Sequence, residues 1–360
     1  MPKRHRPGTS ATSVVAHIEE IVIATSGEDA FELVFAIAAA RIAGASTTRG
    51  LRSGLRSTIA GVAKAHPRLE IELPREATDE LLARVDGLVA DLPLEGLDAV
   101  FESLVPRVAK GDKGQFFTPR HVVDFVVRAL APKAREVVVD PACGSGAFLA
   151  HARALAAVRA FGCDVDPRAV RIARLLALAQ GRDPESIARA DGLRTRDLPG
   201  ASVVATNPPF AGRAPADGFE VGRHVKTPER DVLFLERALD LLRPGGRLGI
   251  VLPYNKAAGT AFAALRRWLV GRARLFAIVG LPRETFLPHT AQRTFVLFAK
   301  KRARGAPPDP GERAMFVVSD RAGKDTGGEP IFRRDGALDH DLDDVLSELA
   351  PFLASEGFAA

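Results

Sequence analysis

The chain has 360 residues, 46% of them apolar, which is enough for an ordinary buried core and leaves room for two domains. No run of 18 or more apolar residues occurs and the opening MPKRHRPGTS lacks the apolar stretch of a secretory signal, so we expect a soluble, cytoplasmic protein without membrane association. The net charge of +6 is unevenly spread: residues 301–360 carry 8 Lys and Arg against 12 Asp and Glu, leaving 42 against 32 in the first 300. A basic body with an acidic tail fits a polyanionic partner, although arginines scattered through an Ala- and Arg-rich chain equally describe a solvated surface. Cys143 and Cys163 are too few for a zinc cluster or a disulfide framework, and we read both as small buried residues, with no metal site.

In chain order, residues 1–10 read as a disordered basic tail. Helical patterns follow from Val14 to Arg41 and from Asp79 to Val108, separated by the Gly/Ser/Arg/Thr-rich stretch Ser46–Thr58, so that residues 11–106 form an N-terminal helical domain. From residue 107 short β-rich runs alternate with helices: Glu136–Asp140, Phe161–Val165, Ser202–Asn207, Arg247–Pro253, Leu275–Pro282 and Thr294–Lys300, with a weaker run at Ser186–Asp191. Such alternation predicts an α/β fold over 107–300, a parallel sheet with helices on both faces. The last two runs are joined by too few residues for a helical crossover, so one strand should enter antiparallel. Residues 301–360 read as a linker, a hairpin over Met315–Phe332 and an amphipathic helix over Asp341–Leu353.

The first unit with chemistry is the turn after Glu136–Asp140. Asp140-Pro141-Ala142-Cys143-Gly144-Ser145-Gly146 ends a strand in an acid and supplies two glycines that let the backbone turn sharply before Ala147 opens a helix. Alone this is a weak signal. A second strand ending in Asp164 about twenty residues on strengthens it, because an acid there can bind the two hydroxyls of a ribose. With neither a Lys-Ser/Thr pair nor the full spacing of a phosphate-binding turn, the motif fits a nucleoside without phosphates, such as S-adenosylmethionine. Asp166 fits a cap for the helix opened by Pro167. Asp191 could accept from an adenine amino group or be a turn aspartate.

Asn207-Pro208-Pro209-Phe210 follows at the carboxyl end of a later strand, where ligands bind in open α/β sheets. Two successive prolines cannot continue a central strand, so the loop has a fixed shape. The Asn207 amide oxygen and the Pro208 carbonyl are converging acceptors, which an NH2 group can satisfy together. Holding both hydrogens out of the plane would aim the nitrogen lone pair at an electrophilic methyl group, and Phe210 offers a flat face for an extruded base.

These motifs resemble the amino-methylating DNA methyltransferases of the gamma class, and most closely the modification subunits of type I restriction-modification systems within the N6-adenine DNA methylase family. The likeness runs from about Gly114 to Lys300, weaker at Ser26–Phe35 and in the tail. It implies a Rossmann-like S-adenosylmethionine-dependent fold of seven strands with the last reversed. It implies cofactor roles for Phe117, Thr118 and Pro119 of the GQFFTP segment, which would cover the methionine part, and for Asp140, Pro141, Ala142, Gly144 and Gly146. It also implies N6 methylation of a flipped adenine by Asn207, Pro208, Pro209 and Phe210. Asp164 stands where the family often has glutamate.

Only about 60 residues follow the last strand, too few for a target-recognition domain, so sequence reading is expected to need a specificity subunit, with a nuclease subunit or a second copy as further partners. The helical residues 14–108 and the Asp341–Leu353 helix are the expected docking surfaces. Residues 211–231, with Arg213, Arg223, His224, Lys226 and Arg230, read as a mobile loop near a DNA backbone or a disordered insertion. Trp268 and Phe262 should pack a helix on the sheet, whereas Tyr254-Asn255 could line the acceptor pocket or be a loop pair. Rival readings are methylation of a guanine amino group in RNA or of a protein glutamine, and a catalytically silent DNA-binding scaffold.

Overall fold

A computed structural model describes residues 17–18, 20, 30–44, 54–90, 100–101, 104, 117–210, 212–224 and 228–359. The expected basic tail at 1–10 and residues 114–116 of the GQFFTP segment lie outside them. The chain divides into two compact units, 1–106 with 171–185, and 107–170 with 186–360.

The first unit is helical. Helix α1 (Ala30–Gly44) buries Phe31 and Phe35, which meet each other and Phe101 at 5.8 Å between ring centroids. Helix α2 (Leu55–Ala65) starts inside the stretch expected as a linker: Gly54, at φ 93°, lets the chain enter the helix, and Thr58, Ile59 and Val62 are buried. Tertiary burial overrides the turn-like composition. Helix α3 (Asp79–Val89) is capped by Thr78, whose side chain accepts from Leu81 N. Its predicted extension to Val108 passes through residues 91–99, which are not described. Arg171 completes the unit: its guanidinium takes both oxygens of Glu32 at 2.7–2.8 Å, donates to the Leu69 carbonyl and lies 4.4 Å from the Phe35 ring centroid.

The second unit is built on one sheet of eight strands, β1 (Val137–Asp140), β2 (Arg159–Asp164), β3 (Ile187–Arg189), β4 (Ala201–Thr206), β5 (Leu242–Pro253), β6 (Ala273–Leu281), β7 (Thr294–Lys301) and β8 (Met315–Val318). Their order is β3-β2-β1-β4-β5-β7-β6-β8, with β7 antiparallel to both neighbours and the other pairings parallel. The expected seventh-strand reversal is present. The expected tail hairpin is not: Met315–Val318 pairs in parallel with β6 as an eighth strand, and the chain after it turns back on itself through isolated antiparallel bridges, Lys324–Pro330 among them. A hairpin needs only local contacts, whereas this pairing joins residues far apart in the sequence and leaves no local signature.

Helix α4 (Arg120–Leu130) precedes β1, and α5 (Ala147–Leu155), α6 (Pro167–Ala179), α7 (Arg230–Leu241), α8 (Asn255–Ala258), α9 (Ala263–Arg272) and α10 (Leu342–Ser355) follow it. On one face α7 and α9 bury Leu233, Leu239, Leu265 and Trp268 against Val204, Ile250 and Leu297. On the other, α4 packs so closely that a Cβ on Gly249 would lie 2.9 Å from Val126 and Leu130. There Phe125 and Phe358 meet Phe298 edge to face. Helix α10 buries Leu342, Val345, Leu346, Leu349 and Leu353. Its apolar face is therefore used within the unit, and the helix is not the free docking surface expected from its amphipathic pattern. No helix among the described residues is long and apolar enough to cross a membrane.

Candidate active site

The turn that follows β1 folds as its glycines require, with Gly144 at φ 51° and Gly146 at φ 85°. Asp140 is 1% exposed; one carboxylate oxygen accepts from the Thr206 hydroxyl at 2.6 Å and from Ala142 N at 3.0 Å. Burial, reinforced by the nearby Asp164 charge, pushes its pKa up to about 7 despite those bonds. Asp164, at the end of β2, accepts from Gly144 N at 3.0 Å and from Asp166 N at 2.9 Å, so the acid ties the two loops together; its burial also raises its pKa. The role expected of Asp166 is visible in its side chain, which accepts from Arg168 N at 2.9 Å at the start of α6. Cys143 and Cys163 are buried, and desolvation pushes the Cys163 thiol up to about 12.

A cleft opens at the carboxyl ends of β1, β2 and β4. Its walls include Pro141, Ala142, Asp164, Asp191 and Pro209, five residues singled out in the sequence, together with Val165, Leu193 and Phe234. Asp191 has the geometry of a turn aspartate, accepting from Leu193 N at 2.9 Å, and faces the same cleft. The adjacent Gly192 is fixed by contact: a Cβ there would lie 1.8 Å from the Pro141 carbonyl oxygen. Arg237 closes this corner by donating to the Gly192 and Thr195 carbonyls at 2.9 and 2.6 Å. Sequence reading treated Gly192 only as the residue after Asp191, because its requirement arises from a backbone fifty residues away.

Asn207 stands directly after β4. Its Nδ2 donates to Thr118 Oγ1 at 3.0 Å, while its Oδ1 is buried without a hydrogen-bond partner. Pro208 is buried and Pro209 half-buried. Phe210 is 5% exposed and meets the Phe286 ring edge to face at 5.6 Å, so an extruded base can stack on it only if its present cover gives way. Pro119 supplies the N-cap position of α4, and its carbonyl accepts from Val122 N and Val123 N. Phe117 and Thr118 are half-buried and, with Pro119, are not among the cleft's wall residues; Thr118 reaches the site through Asn207.

The loop after Phe210 is pinned where it is described. The buried Glu236 carboxylate accepts from Glu220 N and Val221 N at 2.7 Å, and the backbone of Arg213 pairs with that of Glu229 in an isolated antiparallel β-bridge. Arg230 and Asp231 already belong to α7. Residues 212–224 are thus not a disordered insertion, and their anchor, Glu236, carries no signal in the loop's own sequence; Lys226 lies outside the described residues. Next to this loop Lys256 is buried between Glu229 at 2.6 Å and Asp231 at 3.0 Å and also takes the Asn255 amide oxygen at 3.2 Å. Asn255 is therefore engaged with a lysine, and Tyr254 is 48% exposed.

Residues 96–326 match the sequence model of the N-6 DNA Methylase family. The chain belongs to that family. It is 30% identical over 212 residues to the type I restriction enzyme EcoEI methylase subunit of Escherichia coli, covering 53% of this chain and 43% of that protein. To the EcoKI methylase subunit of Escherichia coli K12 it is 28% identical over 231 residues, covering 56% and 44%. The chain spans about half the length of the curated relatives it matches. Among solved structures, a type I restriction-modification system methyltransferase subunit from Streptococcus thermophilus superposes with a TM-score of 0.63 at 19% identity, covering 98% of this chain and 76% of that one. That likeness carries the fold.

Proposed function

We propose that this protein transfers a methyl group from S-adenosylmethionine to the exocyclic N6 of an adenine extruded from DNA. The observation that carries this reading is the buried, unpartnered Oδ1 of Asn207 at the carboxyl end of β4. A buried acceptor left unsatisfied is unfavourable unless a ligand completes it, and an amine is the ligand that does.

The cleft residues fit the cofactor. Val165, Leu193, Pro209 and Phe234 give it apolar walls for a base, and Asp164 and Asp191 bring acceptors to the same space. Asp164 accepts from the backbone N–H groups of Gly144 and Asp166 and stands on the cleft wall, where a ribose is expected. A Cβ on Gly144 would meet nothing within 4 Å, so its backbone is open to a ligand. Bound there, S-adenosylmethionine would supply an electrophilic methyl group on a sulfonium cation. Asn207 Oδ1 and the Pro208 carbonyl hold the two amine hydrogens. Positioning and preorganised acceptors carry the step, and the methylated nitrogen sheds its proton to solvent without an obligatory general base.

DNA as substrate and assembly with further subunits are supported by the family and by relatives named as methylase subunits of restriction enzymes. The test is methyl incorporation into adenine of unmethylated DNA, with RNA and a glutamine peptide as rival acceptors. Asn207→Ala is expected to keep cofactor affinity and lose at least about 100-fold in rate, the scale of one preorganised hydrogen bond in such a site. A fully active Asn207→Ala would reduce the tetrapeptide to a turn.

A further inference from the structure

Thr118 and Asn207 stand 89 residues apart and come from different elements, the approach to α4 and the end of β4, yet they share a 3.0 Å hydrogen bond. The asymmetry of an amide makes this contact consequential. Half a turn about its last bond exchanges an oxygen for an NH2, and only the oxygen can accept from an incoming amine. With Nδ2 on Thr118, Oδ1 is the atom left unpartnered. A hydroxyl both donates and accepts, so Thr118 would tolerate the amide either way round. The reversed amide, however, would turn the NH2 away from Thr118 and oppose the amine with donors of its own where the present one offers an acceptor. Thr118 is itself held in place. Its neighbour Pro119 has φ −53° and accepts from Val122 N and Val123 N in the first turn of α4.

We propose that Thr118 is a positioning residue for the transfer: its hydroxyl oxygen anchors Nδ2 of Asn207 and so keeps Oδ1 turned toward the acceptor amine. This rests on the methyltransferase reading above and goes beyond the covering of the cofactor that the family resemblance implies for Thr118. The two roles make opposite demands on a variant that keeps the shape of Thr118 and lacks its oxygen.

The experiment compares Thr118→Val, Thr118→Ser and Asn207→Ala in the full chain. Its readouts are S-adenosylmethionine affinity by calorimetry, the single-turnover rate on DNA at saturating cofactor, and the Asn207 side-chain amide resonances in 15N-labelled protein, identified as the pair missing from Asn207→Ala. We expect Thr118→Val to keep the cofactor Kd within about twofold, to slow the single-turnover rate about 10- to 100-fold and to shift the Asn207 pair. Thr118→Ser should restore the rate to within about threefold and return the pair to its place. A Thr118→Val protein with weakened cofactor binding but full rate at saturation would overturn the proposal, as would an unmoved amide pair. The resonances need no turnover: a wild-type chain unable to methylate DNA would sink the functional reading, while the amide pair would still decide whether Thr118 holds Asn207.

Discussion

Asp140 ends β1 where an ionised acid is expected, yet burial holds its proton up to about 7. The unfolded chain gives up that proton near the ordinary carboxylate value of about 4. Below that pH both states are protonated, and the stability that the protonated, buried Asp140 contributes is fully present. As pH rises toward and through 7 the unfolded state ionises first, and that contribution is lost. Asp140→Asn, which retains an acceptor for Thr206 and Ala142, removes this dependence. Thermal unfolding at pH 5 and pH 8 should show the melting temperature of Asp140→Asn gaining on that of the wild type as pH increases; a constant difference would mean that Asp140 is ionised in both states. The same residue explains why Thr206, overlooked in the sequence, is buried at the end of β4: its hydroxyl is one of the two donors that stabilise what charge Asp140 does carry.

At the level of elements, the loops at the strand ends are more tightly determined than the strands. Replacing Gly192 by Ala puts a methyl group 1.8 Å from the Pro141 carbonyl oxygen, a clash with backbone that no rotamer relieves. We expect Gly192→Ala to lower stability by at least about 1–3 kcal/mol in urea unfolding and to weaken S-adenosylmethionine binding through the displaced cleft wall; an unchanged calorimetric affinity would place the cofactor elsewhere. The strands themselves were legible: the runs ending in Asp140 and Asn207 are short and β-branched, the one ending in Asp164 is short and apolar, all three are followed by turn residues, and they pair in parallel as expected. Contacts between distant residues were not. Helix α2 begins inside the Gly/Ser/Arg/Thr-rich stretch, where composition points to a turn, and the burial of Thr58, Ile59 and Val62 fixes its start there. The Met315–Val318 run alternates like a hairpin arm, and nothing within it names β6 as its partner. Likewise the tetrapeptide at Asn207 stands out in the sequence by itself, whereas the contacts of Thr118, Gly192 and Glu236 are made with residues elsewhere in the chain.

Across the second unit, the tail belongs to the fold rather than hanging from it. Phe358 is fully buried, 4.8 Å from Phe276 and 6.2 Å from Phe298 between ring centroids, and Glu356 beside it pairs with Arg274 and Arg313. Removing such a ring from a closed core costs about 3–5 kcal/mol. Phe358→Ala should therefore shift the urea midpoint of the whole unit in a single transition. Two separated transitions would show the tail to be an independent piece. The acidic excess of residues 301–360 is also partly answered from within, since Glu312 and Glu356 lie against arginines and their pKa values are depressed by those bonds.

The sheet order has a further consequence, in time rather than in space. Strand β6 lies between β7 and β8, both of which follow it along the chain. During synthesis its apolar residues Phe276, Ala277 and Val279 emerge before either strand that will pair with them. The half of the sheet from β3 to β5 can assemble in step with the ribosome, because each of its strands finds its parallel neighbour already made or made next. The other half must wait for Lys301, and in that interval β6 is an unpaired, aggregation-prone segment with no native edge to join.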